Sequence, residues 1–183
     1  ENILKNINLT IKSGESIGFV GKTGSGKSTL IDIICGLLEP QKGEVLVDNV
    51  NINNNFRSWK NLIGYVPQNV YLLDDTIKKN IIFGINKDNK YDENLKNSVK
   101  SAQLEGFLAN LTEGLDTVVG ERGARLSGGQ IQRIGIARAL YNNAKLVIFD
   151  ESTSALDSKT EKEFIDDISK LKIKKTLIII SHR

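Results

Sequence analysis

A single cysteine, Cys35, excludes an internal disulfide in this 183-residue chain. It lies in the apolar segment 31–37, where a thiol serves as small core filler, and nothing demands an oxidising compartment. Long apolar runs are also missing. The longest, 33–38 counting Gly36, falls well short of the about 20 residues a membrane-spanning helix needs. No secretion signal, internal repeat or low-complexity linker is visible. Neither sign of charge dominates: 25 Lys and Arg stand against 22 Asp and Glu, a net charge of +3. The one basic cluster, Lys170, Lys172, Lys174 and Lys175, reads as a solvated face or loop, so no nucleic-acid partner is expected. With 39% apolar and 26% charged residues, the composition is that of one soluble globular domain. Residues 3–9 already read as structure and the last residues follow a strand directly, so both ends look cut from a longer protein.

What is present is a set of four short apolar strand runs, each ending in reactive or phosphate-handling residues. Residues 17–20 lead into Gly21, 62–66 into Pro67-Gln68, 146–149 into Asp150-Glu151, and 177–180 into Ser181-His182. In open α/β sheets, ligands bind beyond the carboxyl ends of the strands, so the four runs predict a parallel sheet with one active edge. A hairpin is predicted at 44–48, turning at Asp48-Asn49, followed by an Asn-rich loop over 49–55. Helical patterning fills 76–83, 93–103 and 105–111. The fold class is therefore α/β: a mainly parallel sheet, an antiparallel β subdomain and an inserted helical subdomain. The chain is read as one domain over 1–183, with a core of about 1–75 and 142–183 and a helical subdomain of about 76–141.

Residues 21–29, GKTGSGKST, fit G-x-x-x-x-G-K-[ST] after a strand, and they open a helix predicted over 28–38. The phosphate cradle is assigned to Gly21, Thr23, Gly24, Ser25, Gly26, Lys27, Ser28 and Thr29. Its glycines let successive backbone N–H groups converge on phosphate oxygens. Lys27 offers a point charge to the β- and γ-phosphates, and Ser28 a hydroxyl to Mg²⁺. Asp150 is the candidate Mg²⁺-side carboxylate and Glu151 the candidate general base for an attacking water, a role typically worth about 10²–10⁴ in rate. Gln68 could bridge Mg²⁺ or water through its side-chain carbonyl; alone it would be a surface residue in a turn. His182 is the only histidine. By itself such a residue is usually plain surface or core, but its place after a buried strand lets it donate to the γ-phosphate or the attacking water.

A second phosphate-type site stands at Leu126-Ser127-Gly128-Gly129-Gln130, ahead of an apolar-periodic helix over 131–141. A serine and two glycines at a helix start present backbone N–H groups and the positive end of the helix dipole to an anion. One chain thus carries two phosphate-binding devices for one nucleotide type.

This ordered set resembles the ATP-binding cassette (ABC) ATPases, members of the P-loop NTPases, over essentially the whole chain. The residues that carry it are the phosphate loop, Gln68, LSGGQ, Asp150-Glu151, the segment Ser154-Ala155-Leu156-Asp157 and His182. The resemblance implies ATP and Mg²⁺ as cofactors, ATP hydrolysis, and a head-to-tail dimer. Ser127, Gly128, Gly129 and Gln130 would then close over ATP bound by the partner, and Asp157 would reach across the dimer. The intact catalytic positions favour a homodimer. Residues 117–123, TVVGERG, are similar to the loop before the signature in ABC exporters, where it meets the transmembrane domains. This implies export across a membrane, with the chain on the cytoplasmic face of the cell membrane, in bacteria the inner one. The segment 71–76 is expected on the same docking surface because it follows Gln68. The alternatives are a soluble ABC ATPase acting on ribosomes or DNA and, further off, a P-loop kinase or GTPase. The wording around 64–68 and 72–77 is faintly like flippases of lipid-linked saccharides. The adenine-stacking aromatic of the family lies upstream of Glu1.

Overall fold

The computed structural model describes residues 3–84, 91–150 and 175–181. Four strands form a parallel sheet: β1 (Ser16–Val20), β4 (Ile63–Val66), β5 (Leu146–Asp150) and β6 (Thr176–Ser181). Their order across the sheet is β1-β6-β5-β4. Strands such as Leu146–Asp150 are near-continuous apolar runs because both faces of a parallel sheet are covered. The register brings Val20 opposite Ser181, Asp150 opposite Ile180, and Val66 opposite Phe149. The carboxyl ends of all four strands therefore share one edge, as the sequence predicts.

Alternation along the strands sorts residues between two faces. Ile148, Ile178 and Ile180 pack with Ile31 and Cys35 of helix α1 (Lys27–Ile34 and its cap). Val147, Phe149 and Leu177 pack on the other side, with Ile134, Ala137 and Leu140 of α6 (Gly128–Tyr141). Phe149, Ile148 and Ile178 are fully buried. Each such side chain contributes about 1.5–3 kcal/mol over its exposed state.

The small antiparallel sheet pairs β2 (Leu46–Val47) with β3 (Val50–Asn51). Asp48 and Asn49, both at positive φ, make the two-residue turn that the sequence predicts. The stretch 49–55 is not the plain loop expected: β3 leads into a 3₁₀ turn, Ile52–Asn55. Asn51 accepts from the Asn53 N–H at 2.9 Å and Ile52 is buried, so one side-chain cap and one apolar anchor order the segment. Helix α2 (Phe56–Asn61) follows, and its Trp59 indole N–H donates to the Ile34 carbonyl at 2.8 Å, satisfying an orphan acceptor at the end of α1.

Beyond β4 come α3 (Ile77–Ile81), α4 (Tyr91–Ser101) and α5 (Glu105–Leu108), each shorter than or offset from its predicted span. α1 also differs from the predicted 28–38, ending at Ile34 because Gly36 takes φ 72° and turns the chain out of the helix. α6 begins three residues before the predicted 131. Among the described residues, no helix is long and apolar enough to cross a membrane.

Candidate functional site

The phosphate loop runs from the end of β1 to the start of α1. Gly24 and Gly26 adopt φ of 80° and 90°, a region that a side chain would strain. Gly26 is the N-cap of α1, and no side chain caps that helix. The loop thus leads straight into the positive end of the α1 dipole, where an anion is favoured. The Lys27 ammonium donates to the Gly21 carbonyl at 2.6 Å and the Lys22 carbonyl at 3.2 Å, which holds its charge within the loop's own mouth. Lys27 is the first residue of α1, and Ser28 and Thr29 follow it in the first turn.

Asp150 ends β5 and pairs with Ile180 in register, two residues on from Ile148, so it belongs to the sheet face that α1 covers. Ser28 stands in the first turn of the helix that covers this face. Tyr65 lies on the same face, and its phenol donates to Asp150 Oδ2 at 2.5 Å. Burial first, then this hydrogen bond, then the charges of Asp150, Cys35 and Asp32 push the Tyr65 phenol above its ordinary range, so it stays protonated and donating at neutral pH. Burial and the nearby Asp32 raise the Cys35 thiol to about 11, in keeping with inert core filler.

A hydroxyl and a single carboxylate fit Mg²⁺ bound together with nucleotide phosphates and water. Among the described residues, no cluster of three or more His, Cys, Asp or Glu side chains able to hold a metal occurs. Gln68 lies just past β4 at the same edge and is exposed. Glu151, Asp157 and His182 lie outside the described residues, as do Lys170, Lys172 and Lys174 of the basic cluster. Lys175 donates to Asn143 Oδ1 at 3.1 Å and to the Ala144 carbonyl at 2.6 Å. At least this member pins the turn ahead of β5.

The second device is built differently. Ser127 is the N-cap of α6 in a reciprocal capping box: its Oγ accepts from the Gln130 N–H at 3.3 Å, and Gln130 Oε1 accepts from the Ser127 N–H at 2.8 Å. Gln130 therefore fixes the serine, and Ser127, Gly128 and Gly129 carry the turn that faces outward. Because α6 packs on the sheet face opposite α1, the two phosphate devices are not brought together within one chain.

Several residues beyond the sequence reading join these parts. Thr76 bridges Val118, with Ile77 N–H donating to the Thr117 carbonyl at 3.0 Å and Val119 N–H to the Asp75 carbonyl at 3.1 Å. The segments after Gln68 and before LSGGQ thus form one short ladder. Asn80, fully buried, accepts the Leu73 N–H and donates to the Leu73 and Thr76 carbonyls. Arg138 of α6 donates to the Tyr71 carbonyl at 2.9 Å. No local motif marks Tyr65, Asn80 or Arg138; their partners are remote in the chain.

A family model described as ABC transporter matches residues 4–154. The chain is 42% identical, over its whole length, to an "Uncharacterized ABC transporter ATP-binding protein" of Sinorhizobium fredii. It is 43% identical over 99% of its length to a "Putative multidrug export ATP-binding/permease protein" of Staphylococcus aureus. It covers 31% of each of those proteins, so it spans about a third of the length of the curated relatives it matches. Among solved structures it is similar to a bacterial Atm1-family ABC exporter with ATP bound, at a TM-score of 0.85 and 36% identity, over 99% of this chain and 32% of the other.

Proposed function

This chain belongs to the ABC transporter family, whose ATP-binding members hydrolyse ATP to drive transport, and from that membership we propose that it is the motor domain of an exporter, acting as one half of a head-to-tail pair. We read 1–183 as one ATPase domain, with a core of about 1–75 and 142–183 and a helical subdomain of about 76–141. The observation that carries the dimer is the placement of the two phosphate devices on opposite faces of one sheet. A single chain cannot close Ser127 over the ATP held by its own Lys27 and Ser28, whereas a second copy turned head to tail can.

In that composite site the N–H groups of 21–26 and the start of α1 hold the phosphates, and Lys27 swings from the Gly21 and Lys22 carbonyls to the β- and γ-phosphate oxygens. Mg²⁺, held through Ser28 and Asp150 with Gln68 alongside, would supply charge neutralisation between the β- and γ-phosphates. Glu151 takes the proton of the attacking water, and His182 donates a hydrogen bond to the γ-phosphate side. Ser127, Gly128 and Gly129 of the partner, with Asp157 reaching across, complete the enclosure.

Exporter coupling is supported by the ladder that joins 75–77 to 117–119. It groups Tyr71, Leu73 and Val118, all partly exposed apolar side chains, in two segments tied to each other. We read this as the surface that meets the transmembrane domains on the cytoplasmic face of the membrane. The multidrug export name of the Staphylococcus aureus relative and the Atm1-family exporter likeness favour this reading over a soluble ABC ATPase.

The decisive experiment is complementation in the full-length protein. Lys27→Ala and Ser127→Arg should each lose ATPase activity, with Ser127→Arg still binding nucleotide. Co-assembly of the two variants should restore part of the activity, because one composite site in the mixed pair is intact. No recovery from verified mixed assemblies would sink the head-to-tail reading.

A further inference from the structure

Tyr65 stands one strand away from Asp150. It pairs in register with Ile148, two residues before Asp150, so Tyr65 and Asp150 are diagonal neighbours on the face covered by α1. Diagonal neighbours in a sheet lie on the order of 7–8 Å apart, within reach of an aromatic side chain. The phenol spans that gap and donates to Asp150 Oδ2 at 2.5 Å. Among the described residues, it is the one hydrogen-bond partner of the Asp150 side chain. Asp32, one helical turn beyond Ser28 on α1, adds its charge to those that act on the phenol.

We propose that Tyr65 is a positioning residue for the nucleotide's divalent cation: by occupying Asp150 Oδ2 it fixes the carboxylate and turns Oδ1 to the cation. An unrestrained aspartate at a strand end would sample several rotamers and would have to be ordered when the cation arrives. A charge-assisted O–H···O⁻ bond of this length is among the stronger hydrogen bonds available to a side chain. The phenol also gives a direction, because Tyr65 is anchored in a strand adjacent to that of Asp150. Outer partners of metal ligands act in this way, setting ligand orientation without touching the ion. The inference rests on Asp150 being the cation-side carboxylate, and the test separates the two.

The test compares wild type, Tyr65→Phe and Asp150→Asn in the full-length protein. Mn²⁺ is titrated in the presence of ATP and followed by electron paramagnetic resonance, alongside equilibrium binding of a fluorescent ATP analogue in EDTA. Tyr65→Phe removes only the hydroxyl. It should weaken Mn²⁺ binding by about 10-fold, the lower end of what outer partners of metal ligands contribute, and leave metal-free nucleotide binding unchanged. Asp150→Asn should weaken Mn²⁺ binding more. An unchanged or tighter Mn²⁺ titration in Tyr65→Phe, with Asp150→Asn impaired, overturns the role of Tyr65 alone. Equal weakening of nucleotide binding with and without metal also overturns it, since that is the mark of a general structural defect. An unaffected Asp150→Asn removes the underlying assignment of Asp150.

Discussion

The guanidinium of Arg138 is held by two acceptors on one residue: its Nε donates to the Asn80 carbonyl at 2.7 Å and its Nη2 to Asn80 Oδ1 at 3.3 Å. A third arm reaches the Tyr71 carbonyl. Arg138 sits on the helix that opens with LSGGQ, and Tyr71 lies in the segment that follows Gln68. The fork therefore ties the signature helix to the loop leaving β4.

Arg138→Lys keeps the charge and loses the planar fork. Hydrogen bonds to charged groups contribute about 1.5–3 kcal/mol each. The substitution is expected to destabilise the protein by about 2 kcal/mol in chemical denaturation. Asn80→Ala should cost at least as much, since it strips the Leu73 N–H and carbonyl of their partner. The two losses should fall short of additivity in a double-mutant cycle by the share of the Nη2–Oδ1 bond, the one contact that both substitutions remove. Simple addition would mean that this bond carries no coupling energy.

Gly135 of α6 faces Val70, two residues past Gln68, so closely that a Cβ on the glycine would lie 2.6 Å from one valine methyl and 3.0 Å from the other. Val70 is β-branched and cannot swing aside freely. Gly135→Ala gains about 1 kcal/mol of helix propensity but overpacks this contact, which costs about 1–3 kcal/mol. A net loss of about 1 kcal/mol is expected. Val70→Ala placed in the Gly135→Ala background should recover part of it, read from the same denaturation curves. A stabilised Gly135→Ala would show that the contact yields more easily than the geometry implies.

Asp75 gives the expected pH dependence. Its Oδ1 accepts from the Thr76 N–H at 2.8 Å and its Oδ2 from the Lys79 ammonium at 3.0 Å; the first, then the second, lower its pKa. A carboxylate whose folded value is depressed contributes stability above its unfolded pKa of about 3.9, and loses it as pH falls through the lower folded value. Asp75→Asn should melt below wild type at neutral pH, with the gap closing below about pH 4. The effect should be small and salt-sensitive because the pair is exposed. A gap that persists into strong acid would assign the loss to packing instead.

The sequence by itself determined the local devices. The phosphate loop, the Asp48-Asn49 turn and the apolar strand runs are each set by a few adjacent residues whose backbone preferences and spacing act over one turn or one strand. The common edge of the four strands was also legible, because parallel strands with buried faces leave their carboxyl ends on one side. Helix limits were less legible: α1 stops at a glycine that looks like part of its apolar run, and α6 starts in the signature itself because Ser127 and Gln130 cap each other.

Only the tertiary structure decided which face of the sheet each device serves and which distant residues hold it. The phenol of Tyr65 meets a carboxylate 85 positions away, and Arg138 meets Asn80 across 58. Such contacts follow from strand register and helix docking, and a one-residue change in register would turn every side chain of a strand to the other face. The same register puts α1 and α6 on opposite sides of β5, so that LSGGQ and the phosphate loop open helices on different faces of one sheet.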